Sequence, residues 1–223
     1  MKEKNCLNPS YSLASVFDLD HTLLKTNSSL RFGFYLKKQG VITTPKLFQL
    51  FFHYLRHKLF KMSVSELHFR SLSLIEGCSL DQIKKLSKEF VKKFDPSLIN
   101  QEVLQCLKQA IHDHHYVIIA SNSPSFLVDA FAEKFGAMRA IGVDVPLNEN
   151  CQLNGEMPVQ DGPWKRDRVI TEIEKLSIPA NRVVAYSDSM LDYPLLKAVG
   201  RAIAVNPDRL LRKESLRNGW KII

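Results

Sequence analysis

The sequence predicts an α/β fold built on a parallel sheet with a helical insertion after its first strand, and three observations predict it. Short apolar runs rich in β-branched residues recur along the chain: LASVF at 13–17, YVIIA at 116–120, RVVAY at 182–186 and RAIAV at 201–205. They have the length and composition of buried strands. From His115 onward these runs alternate with helical patterns, which is the signature of βαβ units. Between the first two runs, from Asn27 to about Ile111, the pattern is helical almost throughout. The chain has 223 residues, 45% of them hydrophobic, enough for one core plus a sizeable insertion.

The N-terminal stretch MKEKNCLNPSYSLASVFDLD has no apolar leader segment before the first strand, and no later run reaches the length of a membrane span. Export and membrane spanning are therefore not expected. Cys6, Cys78, Cys106 and Cys151 form no CxxC pair, which argues against a disulfide framework and a structural zinc site, and for a reducing cytoplasm. The first strand, Leu13 to Phe17, runs straight into Asp18 and Asp20. Two carboxylates one residue apart repel each other. At the carboxyl end of a parallel strand they lie in the crevice where α/β folds bind ligands, so the pair calls for a cation.

The insertion is placed at about 27–95. Thr44-Pro45 marks a helix start within it and Asp95-Pro96 its far boundary. Inside it, Lys46 to Met62 (KLFQLFFHYLRHKLFKM) interleaves aromatic residues and leucines with Lys46, His53, Arg56, His57, Lys58 and Lys61. A core-facing stripe is the preferred reading. A helix lying on an anionic membrane is the alternative. The His112-Asp113-His114-His115 run ends a helix just before a strand, where polar residues are ordinary, and is not read as a metal site.

Three further stretches place chemistry at strand or helix ends. Ser121-Asn122-Ser123-Pro124 follows YVIIA and precedes the helical FLVDAFAEKF. A hydroxyl and free N–H groups at such a junction can cradle a phosphate, or simply cap a helix. Between Ile141 and Val159, a polar centre with Asn154-Gly155 suggests a hairpin, or a ribbon beside the main sheet. Gly162 to Arg168 then opens another helix, and Lys165 there could reach an anion as a point charge. Arg166 and Arg168 stand beside it, and local sequence does not choose among the three. Finally Ser187-Asp188-Ser189-Met190-Leu191-Asp192 follows RVVAY. Carboxylates from separate strand ends suit Mg²⁺, which takes one or two of them and completes its octahedron with waters and substrate phosphate.

The ordered set Asp18, Asp20 and Thr22 (DxDxT), then Ser121, then Lys165, then Asp188 and Asp192, resembles the haloacid dehalogenase superfamily. The helical insertion resembles the small cap of its phosphoserine-phosphatase-like branch, and the resemblance spans about Leu13 to Ile223. It implies a Rossmann-like three-layer core at 1–26 and 96–223, with a helical cap at 27–95. It further implies a phosphomonoesterase in which Asp18 is the nucleophile that forms an aspartyl-phosphate and Asp20 is the acid and base. Mg²⁺ would be held by Asp18, the backbone carbonyl of Asp20, and Asp188. Ser121, the backbone of Asn122, and Lys165 would hold the phosphoryl oxygens. Asp192 would orient Lys165 or a metal-bound water, and Thr22 would steady the loop and assist Asp20.

The sequence departs from that pattern at three places. His21 and Ser187 stand where glycine is common, and Ser187 is read as neutral. Asn27 stands where phosphoserine phosphatases carry a glutamate that recognises their substrate, so the resemblance does not carry phosphoserine over as the substrate, which stays unassigned. The net charge of +8 favours anionic partners. A small phosphorylated metabolite is preferred over nucleic acid, with peripheral membrane contact a lesser possibility. Alternative readings are a phosphomutase, a phospholipid head-group phosphatase, a dehalogenase, for which Asp188 would be superfluous, and a non-catalytic basic binding module.

Overall fold

The computed structural model describes residues 11–45, 48, 52, 73–155 and 163–223. Most of Lys46–Met62 and the 156–159 end of the expected hairpin lie outside the described residues. Among the described residues there are six strands: β1 (Ala14–Phe17), β2 (Tyr116–Pro124), β3 (Arg139–Val143), β4 (Val183–Ser187), β5 (Arg201–Ala204) and β6 (Lys221–Ile222). They form one sheet in the order β3-β2-β1-β4-β5-β6, and every neighbouring pair is parallel. All four residues of β1 are buried, as a central strand covered on both faces requires.

Alternation along the strands sorts side chains into two layers. Phe17, Val117 and Ile119 face one core, which they share with helices α1 (Ser28–Lys38), α2 (Leu80–Lys92), α3 (Gln101–His112) and α4 (Ser125–Phe135). Ala14, Val16, Ile118 and Ala120 face the other, with α5 (Trp164–Lys175), α6 (Tyr193–Ala198) and α7 (Arg209–Asn218). The result is the three-layer α/β architecture expected from the alternating runs.

Phenylalanines hold α1 and α2 to α4. Phe32 of α1 lies 5.4 Å from Phe90 of α2 and 6.0 Å from Phe126 of α4, and Phe94 lies 5.1 Å from Phe131, all between ring centroids. These are tilted and edge-on contacts, the arrangement that aromatic quadrupoles favour. Segments distant in sequence are thereby packed beside the carboxyl edge of the sheet.

The structure corrects the sequence reading at two places. First, β2 does not end at Ala120 but continues irregularly through Ser121 to Pro124, with a register shift against β3 between Ala120 and Pro124. Second, the segment from Ile141 does not begin a hairpin: Ile141 to Val143 belong to β3, parallel to β2. The chain reverses further on, at Asn148–Gln152, where Asn148 Oδ1 accepts from the N–H groups of Asn150 and Gln152. That side-chain turn does the work assigned to Asn154-Gly155. Lys221–Ile222 form β6, a strand too short to leave a periodic signal.

Gly142 sits under the first turn of α4. A Cβ there would stand 2.6 Å from Ser125 Cα, a backbone atom with no rotamer to escape into. Gly142→Ala is expected to destabilise the protein by about 2 kcal/mol through overpacking, measurable as a lower urea midpoint at unchanged slope.

Candidate active site

The site follows from strand register. Phe17 pairs with Ile119 on one side and Tyr186 on the other, so β1, β2 and β4 reach the same sheet edge together. Asp18 directly continues β1, and its N–H donates to Tyr186 O at 3.0 Å. Ser121 lies in the irregular end of β2, and Asp188 follows β4. The strand ends thus bring together residues separated by more than a hundred positions of sequence.

Lys165 occupies the first turn of α5 and is nearly buried, at 5% exposure. Its Nζ donates to Asp18 Oδ1 and to Asp192 Oδ2, each at 2.8 Å. Ser187 Oγ also donates to Asp192 Oδ2, at 2.6 Å. Sequence reading treated Ser187 as neutral, whereas the structure makes it a direct partner of Asp192. Its only signal was a hydroxyl beside two carboxylates. Of the three cations at the start of α5, Lys165 is the buried one; Arg166 pairs with Asp167 and Arg168 with Asp144 at the surface.

The remaining sequence candidates also have defined places. Thr22 is fully buried and donates to Asp188 Oδ1 at 3.2 Å. Both oxygens of Asp20 are engaged: Oδ1 accepts from the Ser28 N–H at 2.6 Å, and Oδ2 from Ser123 Oγ at 2.8 Å. Ser121 Oγ accepts from the N–H of Ser123 at 3.1 Å, and Asn122 is half-buried between them. Ser28 and Ser123 were not singled out as site residues, because hydroxyls beside a helix start resemble ordinary caps. His21 adopts φ +60°, a left-handed conformation easiest for glycine, and it is exposed at the rim. Asn27, compared above with a substrate-binding glutamate, caps α1: its Oδ1 accepts from Leu30 N at 2.8 Å.

The electrostatics fit a cation. Burial raises the Asp18 carboxyl well above its ordinary range; Lys165 opposes this, while Asp192 and Asp188 reinforce it. Burial also raises Asp188, to about 6. Burial pushes the Lys165 ammonium down, but Asp18 and Asp192 override it and hold it charged, above its usual value. One buried ammonium therefore faces the carboxylates Asp18, Asp188 and Asp192, and negative charge is in excess. Among the described residues, no group of three or more His, Cys, Asp or Glu side chains is arranged to hold a metal ion. The available donor set is two carboxylates plus backbone, which suits a Mg²⁺ that keeps waters and takes substrate oxygens.

The model of the haloacid dehalogenase-like hydrolases matches residues 15–197 of this chain. The chain belongs to that family. Similarity to known members of the wider fold agrees. A histidinol-phosphatase of Neisseria meningitidis serogroup C is 26% identical over 220 residues, covering 94% of this chain and 97% of its own. A solved protein of unknown function from Bordetella pertussis Tohama I superposes with a TM-score of 0.81 at 22% identity, covering 96% of this chain and 98% of its own. A phosphoserine phosphatase, solved as an analogue of its phospho-aspartyl intermediate, superposes with a TM-score of 0.68 at 17% identity, covering 95% and 92%. As a haloacid dehalogenase-like hydrolase, the chain is an enzyme. Among the described residues, no helix is long and apolar enough to cross a membrane.

Proposed function

We propose that the protein is a Mg²⁺-dependent phosphatase that hydrolyses a small phosphomonoester through an aspartyl-phosphate on Asp18. The observation that carries this reading is Lys165, buried and bridging Asp18 and Asp192, because it holds one oxygen of Asp18 and leaves the carboxylate's other oxygen to attack phosphorus. In the first step a bond forms between that oxygen and phosphorus while the ester P–O bond breaks, and Asp20 gives a proton to the departing alkoxide. In the second, Asp20 takes a proton from water, which attacks phosphorus and releases phosphate from Asp18.

Asp18, the Asp20 backbone carbonyl and Asp188 would hold the metal, which when bound supplies positive charge against the repulsion between nucleophile and ester. Ser121, the Asn122 backbone and Lys165 position the phosphoryl oxygens, and this positioning is the greater part of catalysis in phosphoryl transfer. Asp192 and Ser187 orient Lys165, and Thr22 orients Asp188. Residues 27–95 act as a cap that closes over the core of 1–26 and 96–223 and excludes water. The Asn27 side chain is engaged in capping α1 and offers no carboxylate to a substrate ammonium, which supports a substrate other than phosphoserine.

The direct test is phosphate release from a panel of phosphoserine, sugar phosphates, nucleotides and a lysophospholipid phosphate, with Mg²⁺ or with EDTA. Metal-dependent release from at least one is expected, and none from any would overturn the reading. Acid should weaken the metal. Asp188 loses its charge as pH falls through about 6, so protons compete with Mg²⁺ below that point. The half-saturating Mg²⁺ concentration should rise by about fivefold between pH 6 and 5, as titrated against initial rate.

A further inference from the structure

Beyond those roles, Asp20 has a supporting structure. Its carboxylate lies between two chain segments that meet only in the fold. The N–H of Ser28, the first residue of α1, holds Oδ1 at 2.6 Å, and the hydroxyl of Ser123, at the end of β2, holds Oδ2 at 2.8 Å. Ser123 is 2% exposed, and its oxygen also lies 3.3 Å from Ser28 Oγ and 3.1 Å from Ser29 Oγ.

A hydroxyl has one proton to donate and two lone pairs. The Ser123 hydroxyl spends its one proton on Asp20 Oδ2. The two α1 hydroxyls can then only donate to Ser123. Every capacity of Ser123 Oγ is filled in this arrangement. A serine serving only to fill space would need none of this. The N–H of Ser123 meanwhile donates to Ser121 Oγ at 3.1 Å, so the same residue also touches the phosphate-binding serine.

We propose that Ser123 is a positioning residue that, together with the Ser28 N–H, fixes the rotation of the Asp20 carboxylate toward the ester's leaving oxygen. The inference rests on the proposed role of Asp20 as proton donor. It makes the attachment of α1 to the core part of that donor's geometry, since one clamp arm comes from each.

Leaving-group chemistry separates this from a structural role. p-Nitrophenyl phosphate departs as a stabilised phenolate and needs little proton donation, whereas phenyl phosphate, nearly the same in shape, needs more. General acid catalysis contributes roughly 10²–10⁴-fold where it is required. Ser123→Ala is therefore expected to lower kcat on phenyl phosphate by about tenfold or more and on p-nitrophenyl phosphate by about threefold or less. Ser123→Thr, which keeps the donor, should retain the wild-type ratio of the two rates. In an Asp20→Asn background, Ser123→Ala should change that ratio no further, because the two groups act as one unit. Should Ser123→Ala not fold, Ser123→Cys, close in volume and a weak donor, gives the same comparison.

Equal losses on both esters, or independent effects in the double variant, would make Ser123 structural and overturn the proposal. If Asp20→Asn itself spares the ratio, it is the proton-donor role of Asp20 that fails. If Asp20→Asn shifts the ratio and Ser123→Ala does not, only the positioning role fails.

Discussion

Asp18→Asn is expected to lower phosphate release by roughly 10⁴-fold or more without unfolding the protein. Asparagine keeps the shape and an oxygen that can accept from Lys165, but its amide is too poor a nucleophile to form the phosphoryl ester. The sign of the stability change follows from the carboxyl's position. Burial raises Asp18 above its ordinary value, so its charge opposes folding near neutral pH. That contribution grows as pH rises through the folded-state value. A neutral replacement removes the opposition, and the melting temperature at pH 7 should hold steady or rise. Turnover measured beside calorimetric melting tests both halves. Retained turnover would remove Asp18 from the nucleophile's role, and a large drop in melting temperature would mean that its charge supports the fold.

The second large effect falls on stability. Lys165→Met should destabilise the protein by about 3–5 kcal/mol at pH 7, the range seen when one partner of a buried ion pair is removed. Asp18 and Asp192 would then face each other across a buried space with no cation between them. The loss should shrink at pH 5. Without the ammonium that opposes it, burial raises the Asp18 carboxyl further, and a protonated carboxyl is far cheaper to bury. Urea denaturation of wild type and variant at the two pH values gives the comparison. A loss independent of pH would point to side-chain packing rather than charge.

The strands and the order of the site were legible because both are written in short-range pattern. LASVF, YVIIA, RVVAY and RAIAV are apolar runs bounded by polar residues, and Asp18, Ser121 and Asp188 stand at or just past their ends. A parallel sheet converts that position into proximity, so naming the strand ends was close to naming the site. The choice of Lys165 over Arg166 and Arg168 was not legible from local sequence. It depends on which face of α5 turns toward an aspartate 147 positions earlier. Ser28, Ser123 and Ser187 were hidden for the same reason, since a hydroxyl's partner depends on tertiary distance. The Asn148–Gln152 turn was missed because Asn-Gly is the stronger short-range turn signal, while the chain used an asparagine side chain instead.

The bridge made by Lys165 also spans most of the chain. Domains fold as their chains emerge from the N-terminal end, and Asp18 appears early, next to a strand destined for the middle of the sheet. Its cation arrives 147 residues later, and the second carboxylate that shares that cation a further 27 after that. Until then, burying Asp18 would strand a charge without a partner. A chain that stops short of Lys165 therefore lacks the cation that balances Asp18, and the full bridge needs every residue up to Asp192.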